Sequence, residues 1–164
     1  MSLVTARAAV ADDTAKNVSS GLAVGAGLGY HAPLFGGELQ YHQVIARRWW
    51  LVPYAGLGIA PTGGPLLGGV AGGVMCAWGQ RHRIVVDTGV GVEAAEVYRS
   101  LLTGNPVEAH SMYGVVMAAG YQYVADGGFW IGAMVGASYL FSDPATATSR
   151  WLPALNVTAG YKIW

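Results

Sequence analysis

Alternation at every second position is the dominant pattern along the chain. From Phe129 the odd positions run Phe129, Ile131, Ala133, Val135, Ala137, Tyr139 and Phe141, with Trp130, Gly132, Met134, Gly136 and Ser138 between them. Successive side chains of a strand point to opposite faces, so one face here is continuously apolar with aromatic ends. The other face mixes small and polar residues. The same reading gives Leu22, Val24, Ala26, Leu28 and Tyr30 against Gly25, Gly27 and Gly29, then Leu39, Tyr41 and Ile45 against Glu38, Gln40 and His42. A third segment sets Leu51, Ala55, Leu57 and Ile59 against Tyr54, Gly56 and Gly58. A fourth, about Leu66 to Trp78, is so rich in glycine that its length is readable but its faces are not. Ile84, Val86, Val90 and Val92 oppose Arg83, Asp87, Gly89 and Gly91, while Tyr113, Val115, Met117, Ala119, Tyr121 and Tyr123 oppose Gly114, Gly120 and Gln122. Leu155, Val157, Ala159, Tyr161 and Ile163 against Asn156, Thr158, Gly160 and Lys162 complete eight segments.

Charge placement separates two kinds of barrel. With faces assigned from apolar residues alone, Glu38, Arg83, Asp87 and Lys162 all fall on the opposite face. A soluble barrel keeps its apolar residues inside, whereas a transmembrane one turns them to lipid, where Lys or Arg costs roughly 2–4 kcal/mol near the midplane. The expected fold is therefore all-β, an eight-stranded antiparallel up-and-down transmembrane β-barrel over residues 20–164. Residues 1–19 are expected to be a flexible tail: Ala9-Val10-Ala11 before Asp12-Asp13 resembles a cleavage site, but the apolar stretch ahead is short and contains Arg7.

Connections alternate in length. Short turns are expected at Arg47-Arg48, Gly79–His82 and Asp126-Gly127-Gly128, and longer links at 31–37, 61–65, 93–109 and 142–150. The short turns then face the periplasm and the long loops the cell exterior. Ala94–Leu102 suits a short helix within the longest loop, stopped by Gly104 and Pro106. Pro53 and Pro153 fall inside strands of a sheet with no free edge, which predicts a bulge at Pro53 and a strand beginning near Pro153.

Composition agrees with a chain that lacks a charged coat. Charged residues are 11% of the chain and formal charge is zero, against roughly 25% charged residues in ordinary soluble domains. Nothing in that balance draws in nucleic acid. The lone Cys76 excludes a disulfide framework, and neither a metal-ligand cluster nor a cofactor-binding motif is present, so no metal or cofactor is expected. Two stretches are apolar enough for helical spans, Gly56 to Trp78 and Ser111 to Phe141. Pro61, Gly63, Gly64 and Pro65 break the first, and Asp126-Gly127-Gly128 turns the second.

Eight strands, this loop alternation and an aromatic last strand resemble the small bacterial outer-membrane barrels of the OmpA, OmpX and OmpW type. The ending Val157–Trp164 resembles the C-terminal signal read by the barrel-assembly machinery, although Trp164 falls one residue beyond the outward phase of Ile163. The resemblance implies a monomer in the outer membrane, in contact with the lipid bilayer, lipopolysaccharide or detergent.

An eight-stranded lumen is just wide enough for side chains to fill it. The expected lumen network is Glu38, Gln40, His42, Arg83, Asp87, Gln122, Asn156, Thr158 and Lys162, with Glu38 and Asp87 matched by Arg83 and Lys162. Tyr54, Trp130 and Met134 should occupy the space the inward glycines leave. Glu38 and His42 are four apart on one strand, about 13 Å, and cannot bond directly. Tyr30, Tyr41, Tyr113, Tyr121, Tyr123, Phe129, Tyr139, Phe141 and Tyr161 are the expected lipid-facing aromatics. Tyr98, Arg99, Leu101 and Leu102 are the expected contact surface of the longest loop.

No catalytic constellation emerges. Outer-membrane lipid A deacylases carry a His-x-Ser element that this chain lacks, and adjacent His110-Ser111 would place the two side chains on opposite faces. His31 and His110 are expected as solvated residues at loop bases. The expected role is structural or surface-binding through extracellular loops. The alternatives are a narrow pore and a lipid A-modifying enzyme.

Overall fold

Two-residue turns and period-two alternation let each strand pair only with its sequence neighbours, and such a sheet has no edge once its first and last strands meet. The computed structural model describes residues 19–31, 35–60, 67–92, 113–141 and 149–163. Its strands are β1 (Gly21–Gly29), β2 (Phe35–Ala46), β3 (Trp49–Ala60), β4 (Leu67–Gly79), β5 (His82–Val92), β6 (Tyr113–Val124), β7 (Phe129–Leu140) and β8 (Trp151–Lys162). They form a closed antiparallel up-and-down barrel in the order of the chain. β1 closes the ring against β8, from Ala23 opposite Lys162 to Gly29 opposite Asn156.

The short turns lie where expected. β2 and β3 are joined by Arg47-Arg48, β4 and β5 by Gln80-Arg81, and β6 and β7 by residues 125–128. Gly79 and Gly128 adopt φ of 129° and 87°, a region that side chains with a Cβ enter only with strain. The Ala94–Leu102 helix, the loop surface at Tyr98, Arg99, Leu101 and Leu102, His110-Ser111, Trp164 and the tail over residues 1–18 lie outside the described residues.

Pro53 does not make a bulge. It stays in register opposite Val74 of β4, and the β2–β3 register is the same on both sides of it. A missing N–H removes one ladder bond without shifting the strands. The irregularity between β2 and β3 lies instead between Val44 and Ala46, beside the Arg47-Arg48 turn. β8 begins at Trp151, two residues before Pro153.

The structure also settles the faces of β4. Met75 and Ala77 are buried inside, while Val70, Cys76 and Trp78 point out. The interior is filled by Trp50, Val52, Tyr54, Met75, Ala77, Val85, Ala118 and Met134. Inward glycines are seats for the large members: a Cβ at Gly25 would run into the Trp130 ring, and one at Gly89 into the Tyr54 hydroxyl. Among the described residues no helix is long and apolar enough to cross a membrane.

Candidate functional site

The inward positions of β2 carry Glu38, Gln40 and His42, all buried. Arg83 and Asp87, also buried, are the inward pair of β5 on the other side of the lumen. Alternation alone puts both sets inside; what joins them is a chain of hydrogen bonds. Arg83 Nη1 donates to His42 Nδ1 at 2.8 Å, which makes Nδ1 the acceptor and leaves the ring proton on Nε2. His42 Nε2 donates to Gln40 Oε1 at 3.0 Å, and Gln40 Nε2 donates to Glu38 Oε1 at 2.8 Å. Gln40 thus bridges the gap between Glu38 and His42. Gln122 is drawn in from β6, accepting from Arg83 Nη1 and donating to Gln40 Oε1, each at 3.4 Å. The guanidinium is further held by the Gln80 carbonyl at 2.8 Å and lies 3.8 Å above the Trp50 ring.

At the other end of the hydrogen-bonded chain stands a residue just beyond the strand, in the inward phase of Gly25, Gly27 and Gly29. His31 follows β1 and is fully buried. Its Nδ1 lies 2.7 Å from Glu38 Oε2 and its Nε2 lies 3.0 Å from Asp87 Oδ2. Carboxylate oxygens only accept, so both ring nitrogens donate and His31 is an imidazolium. Two carboxylates, Glu38 and Asp87, are then balanced by two cations, His31 and Arg83. Such balance is what a buried charge requires. The Tyr54 ring lies against the imidazole at 3.8 Å between centroids, and the Tyr54 hydroxyl donates to Asp87 Oδ2 at 3.2 Å. The His31 backbone N–H donates to Asn156 Oδ1 at 3.4 Å. Gly56 admits this segment, because a Cβ there would collide with the His31 carbonyl.

Three expectations change. His31 is not a solvated loop base but the counter-ion of both lumen carboxylates. Neither Arg83 nor Lys162 bonds these carboxylates: Arg83 goes to His42, Gln122 and the Gln80 carbonyl, and Lys162, half-buried at the rim, donates to the carbonyl and hydroxyl of Ser19. Tyr30 faces inward, its hydroxyl 3.6 Å from Met134 Sδ, rather than outward. Gly29 has φ of 124°, which breaks the alternation at the strand end, so that Tyr30 turns inward beside His31. Asn156 and Thr158 are buried where the alternation puts them.

With both nitrogens engaged, His31 has no lone pair for a metal and none for general-base work. Among the described residues, no group of three potential ligands is arranged to hold a metal. The same residues leave Asp87 Oδ1 and Asn156 Nδ2 without partners.

No protein-family model, curated protein or solved structure matches the chain. The site must be read from its own chemistry.

On the outside, every strand contributes two or more exposed large apolar side chains. No Asp, Glu, Lys or Arg of the eight strands points outward. Aromatics gather at the ends of this belt. Trp49, Trp78, Tyr121, Tyr123, Phe129 and Tyr161 lie toward the short turns, and Phe35, Tyr113, Tyr139, Phe141 and Trp151 toward the long links. Tyr41 is exposed on β2 between the two groups. Phe129 meets Tyr161 at 5.5 Å, and Tyr139 meets Trp151 at 5.1 Å. Sequence reading missed Phe35, Trp49, Trp78 and Trp151, which stand at strand ends or, for Trp78, on the strand whose faces glycine obscured.

Proposed function

We propose that the chain is an integral protein of the bacterial outer membrane, a small barrel of the OmpA, OmpX and OmpW kind with a plugged lumen. Its role is structural or surface-binding, exercised through the loops at the long-link end. The observation that carries this is the inverted polarity of the wall. A continuous apolar belt faces out, while a charge-balanced hydrogen-bonded network is sealed within. Soluble monomers rarely expose contiguous apolar patches above a few hundred Å², whereas a transmembrane barrel needs an apolar band with aromatic girdles. On this reading the barrel is a monomer surrounded by lipid and lipopolysaccharide, and β8 is what the assembly machinery engages.

The plug is supported by His31, which lies over Glu38 and Asp87 with no exposed surface. A conduit reading draws on the polar lining, since the hydrogen-bonded chain runs along the lumen from His31 to Arg83. The amides of Gln40 and the guanidinium of Arg83 are poor proton carriers, which favours the plug. The absence of an enzymatic role is likewise a proposal, supported by the engagement of both His31 nitrogens.

Refolding the chain into phosphatidylcholine vesicles tests the reading. The expected result is a sheet spectrum by circular dichroism, different gel migration before and after heating, and no channels in planar bilayers. A helical spectrum, or a monomer soluble without detergent, would overturn the membrane assignment. Steady channels from the native chain would overturn the plug, and altered lipid A mass on expression would favour an enzyme.

A further inference from the structure

Among the described residues, the short-turn end of the barrel carries Arg47, Arg48, Arg81 and Lys162 against Asp126. The long links carry Glu93, Glu96, Glu108 and Asp143 against Arg99 and Arg150. Two of the four rim cations are engaged: Arg81 pairs with Asp126, and Lys162 is bound by Ser19. Arg47 and Arg48 are exposed, and among the described residues neither forms an ion pair.

The turn that carries them is fixed in place. The Gly79 N–H donates to the Arg48 carbonyl at 2.8 Å, tying the turn to the end of β4. The next residue, Trp49, is the register partner of Trp78, and both indoles point outward and are exposed. Two exposed arginines therefore occupy the turn that leads into Trp49, at the same end of the apolar belt as Trp78. Indoles favour the interface between hydrocarbon and headgroup, and a guanidinium offers paired donors to a phosphate.

We propose that Arg47, Arg48, Trp49 and Trp78 form a binding site for the phosphate of an anionic glycerophospholipid in the leaflet at the short-turn end. The site rests on the membrane reading above. An acidic protein is the less fitting occupant, because the arginines adjoin side chains that would sit at headgroup depth, and a protein there would have to displace lipid.

The test uses the full chain folded in non-ionic detergent, titrated with phosphatidylglycerol or phosphatidylcholine and read by native mass spectrometry. A basic residue at a membrane surface strengthens anionic-lipid binding roughly five-fold. Phosphatidylglycerol should be retained well above phosphatidylcholine, and the double variant Arg47→Gln, Arg48→Gln should lose about 25-fold of that preference on the same scale. Arg81→Gln, whose partner is Asp126, should lose much less. High salt should remove the preference in the native chain. Equal retention of the two lipids, or an undiminished preference in the double variant, overturns the site. Unchanged gel migration on heating would instead remove the membrane reading, and the lipid site with it.

Discussion

Arg83 donates from Nη1 to His42 Nδ1 at 2.8 Å, and this hydrogen bond fixes the direction of the lumen chain above it. His42 must carry its proton on Nε2, and Gln40 must turn its amide nitrogen to Glu38. His31 sits at the acceptor end with two carboxylates and must carry two protons. Nitrogen-15 spectra of the protein in micelles near neutral pH should show one protonated and one bare ring nitrogen for His42. For His31 both should be protonated. A bare nitrogen on His31 would contradict the charge balance.

Removing His31 leaves two buried carboxylates with only Arg83 to balance them. His31→Ala should destabilise the barrel by roughly 3–5 kcal/mol, the usual consequence of breaking a buried ion pair from one side. Adding Glu38→Gln alone should recover most of the loss, because one carboxylate then remains to balance Arg83. Urea titrations in vesicles would measure both effects. Equal stability of the single and double variants would show that His31 is not the counter-ion.

Gly89 makes room for a hydroxyl rather than for a ring. Its missing Cβ would meet the Tyr54 oxygen first, with the ring carbon behind it at 3.3 Å. Gly89→Ala should therefore cost about 1–3 kcal/mol as an overpacking change. In a Tyr54→Phe background the same substitution should cost clearly less. Additive losses in the double variant would mean the hydroxyl is not what the glycine accommodates.

Val135 lies mid-strand on β7 and points outward. Against lipid, Val135→Arg should cost roughly 2–4 kcal/mol in vesicle-folded protein. A surface facing water would accept the same change within about half a kcal/mol. This substitution separates the two environments without disturbing the lumen.

Strand number, pairing order and the faces of seven strands were legible because each depends on alternation, which one residue type rarely overturns. Leu39, Val86 and Val157 point out, and Gln40, Asp87 and Asn156 point in, as period two requires. β4 was opaque because its many glycines carry no side chain to reveal a face. His31 was invisible for a different reason. It shares the inward phase of Gly25, Gly27 and Gly29, but it stands past the strand end, where alternation does not decide whether the chain stays over the lumen. The partners of Glu38 and Asp87 were misassigned because phase says nothing of reach: Lys162 sits too near the rim, and Arg83 turns to His42 and Gln122.

The clamp on His31 draws its parts from distant points of the chain, Glu38 from β2, Asp87 from β5 and Asn156 from β8. No single hairpin contains the whole clamp. A chain assembling strand by strand holds Glu38 and His31 early, gains Asp87 three strands later, and obtains the Asn156 acceptor only with the last strand. Closure of this clamp is thus a property of the finished ring, and an incomplete ring leaves its donors and acceptors unmatched.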